Sequence, residues 1–301
     1  MLELWGLGDT VLALPFLRAA AARHQVTLLA PARSLSLLRR FAPSIDCIPF
    51  RAPWTSARDR YRLAGWPWRN LWRVTAELRT RDFDVAFSAR SDPRDHLWLR
   101  LSGARRRVSA THPASARLLT DPLTLPARTH RADAWTALSA TLGLDPLPSP
   151  GRLRPPQDRL IVAHLGAGSP HGAWPKERWT VVIDQLRRRG WSVVVLDDSL
   201  VDLDRLIEAL APARAFLGND SGPGHLAAFL GVPTFTIFGP GIPELAAPRH
   251  PFAAWQQGGP CPHKPCRNAC HYAQPHCLLS IDPEPARHTI EAWLATLADH
   301  P

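Results

Sequence analysis

At 301 residues and 45% apolar composition, the chain is long enough to bury a large core and to form two domains. Its net charge of +10 is carried almost wholly by arginine (Lys176 and Lys264 are the lysines), and with 31 prolines and one methionine this reflects compositional bias as well as function. The charge favours anionic partners such as a nucleotide, a phosphorylated glycolipid or a membrane surface, whereas no groove-reading motif or aromatic RNA-binding signature supports nucleic acid.

Taken in chain order, short apolar runs alternate with helical patterns. Leu2–Trp5 reads as a strand, Thr10–Arg23 as a helix, Val26–Ala30 as a strand and Leu35–Phe41 as a helix. Asp84–Ser88 gives another strand, followed by the helical stretch His96–Leu101. Asp145–Gly151, rich in proline, with Pro155-Pro156 close behind, is the clearest linker. The alternation then restarts with strand Leu160–His164, helix Lys176–Arg189, strand Ser192–Leu196, helix Leu203–Leu210 and strand Ala215–Leu217. A further helix stops at Gly231-Val232-Pro233, strand Thr234–Phe238 follows, and the last helical stretch is Pro285–Ala298. Strands alternating with helices imply βαβ units and parallel sheets. The expected fold class is α/β, with two Rossmann-like domains facing an interdomain cleft. Their expected bounds are 1–150 and 151–284, with residues 285–301 forming a helix that packs back on the first domain.

The most informative stretch is Gly218-Asn219-Asp220-Ser221-Gly222-Pro223-Gly224-His225. It reads as the end of a strand, a polar turn and the start of a helix, with Ser221 as N-cap and Pro223 in the first helical turn. Free backbone amides and the positive end of a helix dipole converge there, so a diphosphate would be stabilised. Asp220 and His225 flank that point with a carboxylate and a titratable donor. Gly6-Leu7-Gly8-Asp9 follows the first strand and opens a helix; Gly8 lets a ligand approach the backbone, and Asp9 is either a general base or an N-cap aspartate. His164-Leu165-Gly166-Ala167-Gly168 is a phosphate or ribose loop or an ordinary βα turn. Phe238-Gly239-Pro240-Gly241 ends the next strand beside the signature turn.

Gly8-Asp9 through Pro15, Trp174-Pro175, Asn219 through Ala227 and Phe238-Gly239-Pro240 stand in an order and spacing that resembles glycosyltransferase family 9, the ADP-heptose:lipopolysaccharide heptosyltransferases. Phe83 through Phe87, Arg90-x-Asp92, Ser102-Gly103-Ala104 and His130 through Leu144 match family segments as well. The resemblance covers essentially the whole chain. It implies a GT-B fold, an inverting mechanism and no required metal. It also implies Asp9 as the base that deprotonates the acceptor hydroxyl, and Asp220, Ser221, Gly222 and His225 as the hold on the donor's diphosphate and sugar. Gly8, Gly166, Ala167, Gly168 and Gly239 fall on the donor side, and Arg90 and Asp92 on the acceptor side. The donor is then a nucleotide sugar of the ADP-heptose type, and the acceptor an anionic glycan or glycolipid such as a lipopolysaccharide core precursor. The chain departs from the family pattern twice: Gly172 stands where a lysine usually precedes the Trp-Pro pair, and the stretch from Leu196 to the signature turn is short, with Asp198 a candidate ribose contact.

Cys261, Cys266, Cys270 and Cys277 cluster with His263, His271 and His276. A structural zinc is one reading, and disulfides or free thiols are the other. Between Arg51 and Arg81 lie Trp54, Trp66, Trp68 and Trp72 among eight arginines, which suits either a membrane interface or a cover over the first sheet. The first residues lack a signal peptide's basic and apolar regions, and no run nears roughly 18 apolar residues, so the expected location is cytoplasmic, with a peripheral place on the inner face of the cytoplasmic membrane. Two alternatives keep the fold: another donor or acceptor, or a non-catalytic binding or scaffold protein.

Overall fold

A computed structural model describes residues 1–55, 62–196, 202–266 and 270–297. The chain divides into two units, Met1–Pro148 and Ser149–Pro301.

The first unit runs α1 (Leu7–Ala21), β1 (Thr27–Ala30), α2 (Leu35–Phe41), β2 (Asp46–Pro49), α3 (Trp68–Arg79), β3 (Val85–Ser88), α4 (Pro93–Leu101), β4 (Arg106–Ala110), β5 (Asp121–Leu123) and α5 (Arg131–Ala140). Strands β1 and β2 pair in parallel, as do β3, β4 and β5. The expected first strand contracts to Leu2, which bridges Leu29 on one side and Ser88 on the other, both in parallel. The reason is local: Gly6, one residue after Trp5, is already the N-cap of α1, so the backbone leaves the ladder early. The spatial order is therefore β2, β1, the Leu2 segment, β3, β4, β5. That is the doubly wound order in which sequence direction reverses beside the first strand. Strands β2, β4 and β5 escaped the sequence reading because β2 and β4 begin on the exposed charged residues Asp46 and Arg106, and β5 is three residues long with Pro122 at its centre.

The second unit runs β6 (Leu160–His164), α6 (Lys176–Arg188), β7 (Ser192–Leu196), α7 (Leu203–Leu210), β8 (Ala215–Asn219), α8 (Gly222–Phe229), β9 (Thr234–Phe238), α9 (Pro243–Ala246), β10 (Ala254–Gln257), α10 (His276–Leu279) and α11 (Pro283–Thr296). Its sheet is parallel throughout, in the order β10-β9-β8-β6-β7. Strands β8 and β9 are buried at every residue, as strands covered on both faces must be. Strand order switches between β6 and β8, the second unit's own switch point.

Helix α11 packs on α6 and β10, and Ile290, Trp293 and Leu294 join the core that holds Trp179, Val182 and Leu186. The Trp293 indole donates to the Phe252 carbonyl at 3.0 Å and lies 5.5 Å from the Phe235 ring. Among the described residues no helix is long and apolar enough to cross a membrane.

Candidate active site

At the switch point of the first unit, α1 follows the Leu2 segment and the turn after β3 lies alongside it. Helix α1 starts at Leu7, earlier than expected, because Asp9 is its third residue and its Oδ2 accepts the Gly6 N–H at 3.1 Å. The capping role and the base role thus fall on one side chain. The other oxygen, Oδ1, accepts Arg90 at 2.5 Å and Arg131 at 3.0 Å. The Arg90 guanidinium also lies over the Trp5 ring, 4.9 Å from its centroid. Burial opposes the Arg90 charge, but the carboxylates of Asp9, Glu3, Asp95 and Asp92 outweigh it and hold its pKa above the ordinary value.

Two further acids sit behind this pair. Glu3 is buried and accepts the Trp5 N–H at 3.4 Å; burial first, and the Asp9 charge second, push its pKa up to about 8. Asp95 is buried on the Trp54 indole (3.1 Å) and the Ser88 hydroxyl (3.2 Å), and burial raises its pKa to about 6. Sequence reasoning missed both, although a glutamate inside an apolar first strand is a visible anomaly.

Of the two acceptor-side residues expected, the structure brings Arg90 to Asp9. Asp92 does something else: it N-caps α4 through the Arg94 N–H at 2.9 Å and pairs with the Arg94 guanidinium at 2.7 Å. Burial opposes its ionisation, but the bonds to Arg94 prevail and lower its pKa.

At the switch point of the second unit, the signature turn meets the loop after β6. Asn219, buried at the end of β8, is the staple between them. Its Oδ1 accepts the Trp174 N–H at 3.1 Å and the Trp179 indole N–H at 3.3 Å, while its Nδ2 donates to the Leu165 carbonyl at 2.6 Å and reaches the Gly166 carbonyl at 3.5 Å. A Cβ on Gly218 would stand 2.8 Å from the His164 carbonyl, so this close approach requires glycine. Ser221 N-caps α8, with Pro223 in its first turn, and its hydroxyl lies 3.5 Å from His164 Nδ1. His225 is buried on the first turn of α8. A Cβ on Gly241 would be 2.5 Å from Asp220 Oδ2, so Gly241 belongs to the turn's surroundings. A Cβ on Gly239 would meet Leu278 at 2.7 Å; the structure gives that glycine a packing reason.

Gly166, Ala167 and Gly168 lie in the loop after β6, and the buried Gly172 presses against the same loop, its hypothetical Cβ 3.3 Å from that of Ala167. A side chain at that position would press on Ala167 and need the loop to give by a few tenths of an ångström. Arg178 is committed to the Leu279 carbonyl at 2.7 Å and the Ile281 carbonyl at 2.5 Å, whereas Lys176 is exposed at the start of α6. Asp198 lies outside the described residues.

The cysteines stand as free thiols, Cys261, Cys266 and Cys270 half-buried and Cys277 buried in the second core. Burial, and then the neighbouring sulfurs among other causes, raise the Cys266 thiol; burial raises Cys277 as well. Among the described residues no group of three or more His, Cys, Asp or Glu side chains is arranged to hold a metal ion, so the zinc reading finds no support. The Trp/Arg segment also divides: Trp54 is core and Trp66 packs against it, while Trp68 and Trp72 on α3 are 47% and 71% exposed.

Two parallel doubly wound units, each with its conspicuous side chains at its own switch point, make this the fold of the GT-B glycosyltransferases. The family model for glycosyltransferase family 9 (heptosyltransferase) matches residues 200–275, which include the signature turn. Lipopolysaccharide heptosyltransferase 1 of Pseudomonas aeruginosa is 27% identical over 184 residues, 46% of this chain and 52% of that protein, so the match spans about half the relative's length. The E. coli ADP-heptose lipopolysaccharide heptosyltransferase II superposes with a TM-score of 0.66 at 19% identity, covering 98% of both chains. The E. coli heptosyltransferase WaaC, solved with ADP, superposes with a TM-score of 0.69 at 16% identity, covering 97% of this chain and 98% of that one. The chain is similar to family 9 across its signature turn and shares its fold with heptosyltransferases over nearly its whole length.

Proposed function

We propose that the protein is an inverting glycosyltransferase that moves a sugar from a nucleotide diphosphate sugar, with heptose from ADP-heptose as the default donor, to a hydroxyl of an anionic glycan or glycolipid such as a lipopolysaccharide core precursor. The observation that carries it is the amide-rich turn Asn219–Gly222, opening α8 at the second unit's switch point and stapled by Asn219 to the loop after β6. There, backbone N–H groups and the helix dipole oppose the charge that builds on the departing diphosphate. Asp9 takes the acceptor's hydroxyl proton as the acceptor oxygen attacks the anomeric carbon and the bond to the diphosphate breaks. The heptosyltransferase named with ADP supports this class of donor.

A second reading, a donor-binding protein without transfer, draws on Gly172, because the leaving group then lacks the lysine of the family pattern. Calorimetric titration with ADP- and UDP-sugars, followed by an assay of nucleotide diphosphate release, separates the two. Binding with turnover that Asp9→Ala abolishes supports the transferase. Binding without turnover supports the second reading, and no nucleotide binding at all sinks both.

A peripheral membrane contact through Trp68, Trp72 and the exposed arginines of α3 belongs to the same proposal, since a lipid-linked acceptor lies at a bilayer surface.

A further inference from the structure

The two arginines on Asp9 are at odds with a base at rest. A carboxylate with one oxygen shared by two guanidiniums and the other on a backbone N–H is held in its ionised form and is a weak proton acceptor. To work as a base it must shed one of these partners. Arg90 is the fixed one, lying over Trp5 among the carboxylates of Glu3, Asp9, Asp92 and Asp95. Arg131 is the first residue of α5 and its side chain is 45% exposed, against 23% for Arg90 and 12% for Asp9. Removing Arg131 from Asp9 costs little if another anion takes its guanidinium in exchange, because charge-assisted N–H···O⁻ bonds are then made as others break.

We infer that Arg131 is an exchangeable clamp that trades the Asp9 carboxylate for an oxyanion of the acceptor, so that binding of the anionic acceptor itself unmasks the base. The inference rests on the reading of Asp9 as the acceptor-side base. In the resting protein the clamp lowers the basicity of Asp9. With the acceptor's phosphate or carboxylate on Arg131, Asp9 keeps Arg90 and the Gly6 N–H, and its Oδ1 regains capacity for the hydroxyl proton. Arg131 is thus a positioning residue that couples substrate charge to base activation.

The full chain titrated calorimetrically with inorganic phosphate, and separately with acetate, tests this without any transfer reaction. Asp9→Asn removes the competing carboxylate and is expected to tighten phosphate or acetate binding about threefold to tenfold, on the scale of one partly buried ion pair. The double variant Asp9→Asn/Arg131→Gln loses that gain, and it retains any phosphate binding by the signature turn, which it therefore subtracts. Arg131→Gln alone binds the anion more weakly than wild type, a measurement that stands even if Asp9→Asn folds poorly. Tightening for phosphate alone assigns a phosphorylated acceptor, and tightening for acetate assigns a carboxylated one. Affinity in Asp9→Asn equal to or below wild type, or a double variant as tight as Asp9→Asn, overturns the clamp. A protein that showed the gain but turned over no nucleotide sugar would keep the clamp and lose the transferase reading.

Discussion

Asn219 and Trp174 are joined by a buried hydrogen bond of 3.1 Å from the Trp174 N–H to Asn219 Oδ1, and this bond ties the signature turn to the Trp-Pro pair 45 residues earlier. The same carboxamide holds Trp179 and Leu165, so one side chain sets the spacing of three segments around the second switch point. Asn219→Ala leaves two N–H donors and a carbonyl unpartnered in the core and is expected to cost about 3 kcal/mol of stability. Asn219→Asp keeps the acceptor but sets a charge against the Leu165 carbonyl, with a similar loss. Urea unfolding and ADP titration together measure this; a change under about 0.5 kcal/mol with unaltered ADP affinity would refute the staple.

Glu3 makes the stability of the first unit depend on pH. Its pKa is raised to about 8 in the folded protein, mainly by burial, so between the ordinary glutamate range and pH 8 the folded state binds more protons than the unfolded one. The sign follows: stability is lost as pH rises through that window. The buried Met1 amine, lowered to about 5, acts in the opposite direction, and its contribution is common to wild type and variant. Glu3→Gln is therefore expected to gain on wild type by about 4 kcal/mol between pH 5 and pH 8.5. Unfolding curves that stay parallel across that range would show that Glu3 is not buried as described.

What the sequence made legible follows from which signals are local. The strand–turn–helix at Asn219–Gly222 and the helix opened by Gly6–Asp9 are local patterns of capping residues and apolar runs; both form, the first helix starting three residues before the expected Thr10. The resemblance to family 9 was legible for the same reason, since its motifs sit in those turns. Strands β2, β5 and β10 are stabilised by pairing with distant neighbours, and their own residues alternate weakly or not at all. Which residues receive α11 is likewise not legible, because an amphipathic helix declares an apolar face but not the core it joins. Nor could sequence reveal that Asp92 turns to Arg94 while Arg90 and Arg131 converge on Asp9 from 81 and 122 residues away.

Gly239 distinguishes a packing role from a donor contact. An added methyl group would stand 2.7 to 3.0 Å from three side-chain carbons of Leu278, so Gly239→Ala is expected to cost about 1–3 kcal/mol by overpacking. Leu278→Ala alone opens a cavity in the second core and costs about 3 kcal/mol. If packing is the whole role, the double variant is more stable than the sum of the two losses by about 1 kcal/mol, because the added methyl group occupies space that the shortened side chain vacates. Additive losses, with ADP affinity falling in Gly239→Ala alone, would instead make the glycine a donor contact.

The exposed half of the Trp/Arg segment gives the membrane proposal its test. Helix α3 buries Leu71, Val74, Thr75 and Leu78 and turns Trp68 and Trp72 outward, beside the exposed Arg69 and Arg73. Aromatic rings enter the headgroup region while guanidiniums meet lipid phosphates, with each basic residue contributing about 1 kcal/mol near an anionic surface. Wild-type protein is expected to co-sediment with vesicles containing anionic lipid, less with neutral ones, and less again at high salt. Replacing Trp68 and Trp72 by serine should lower the bound fraction severalfold; the Trp72 change leaves the unfolding midpoint unaltered, because that ring lies outside the first core, whereas Trp68 packs on Trp66 and donates to the Leu63 carbonyl. Replacing Arg69 and Arg73 by glutamine should remove the salt dependence. Sedimentation indifferent to all four substitutions would leave these residues as a solvated cover and return the membrane contact to some other face of the chain.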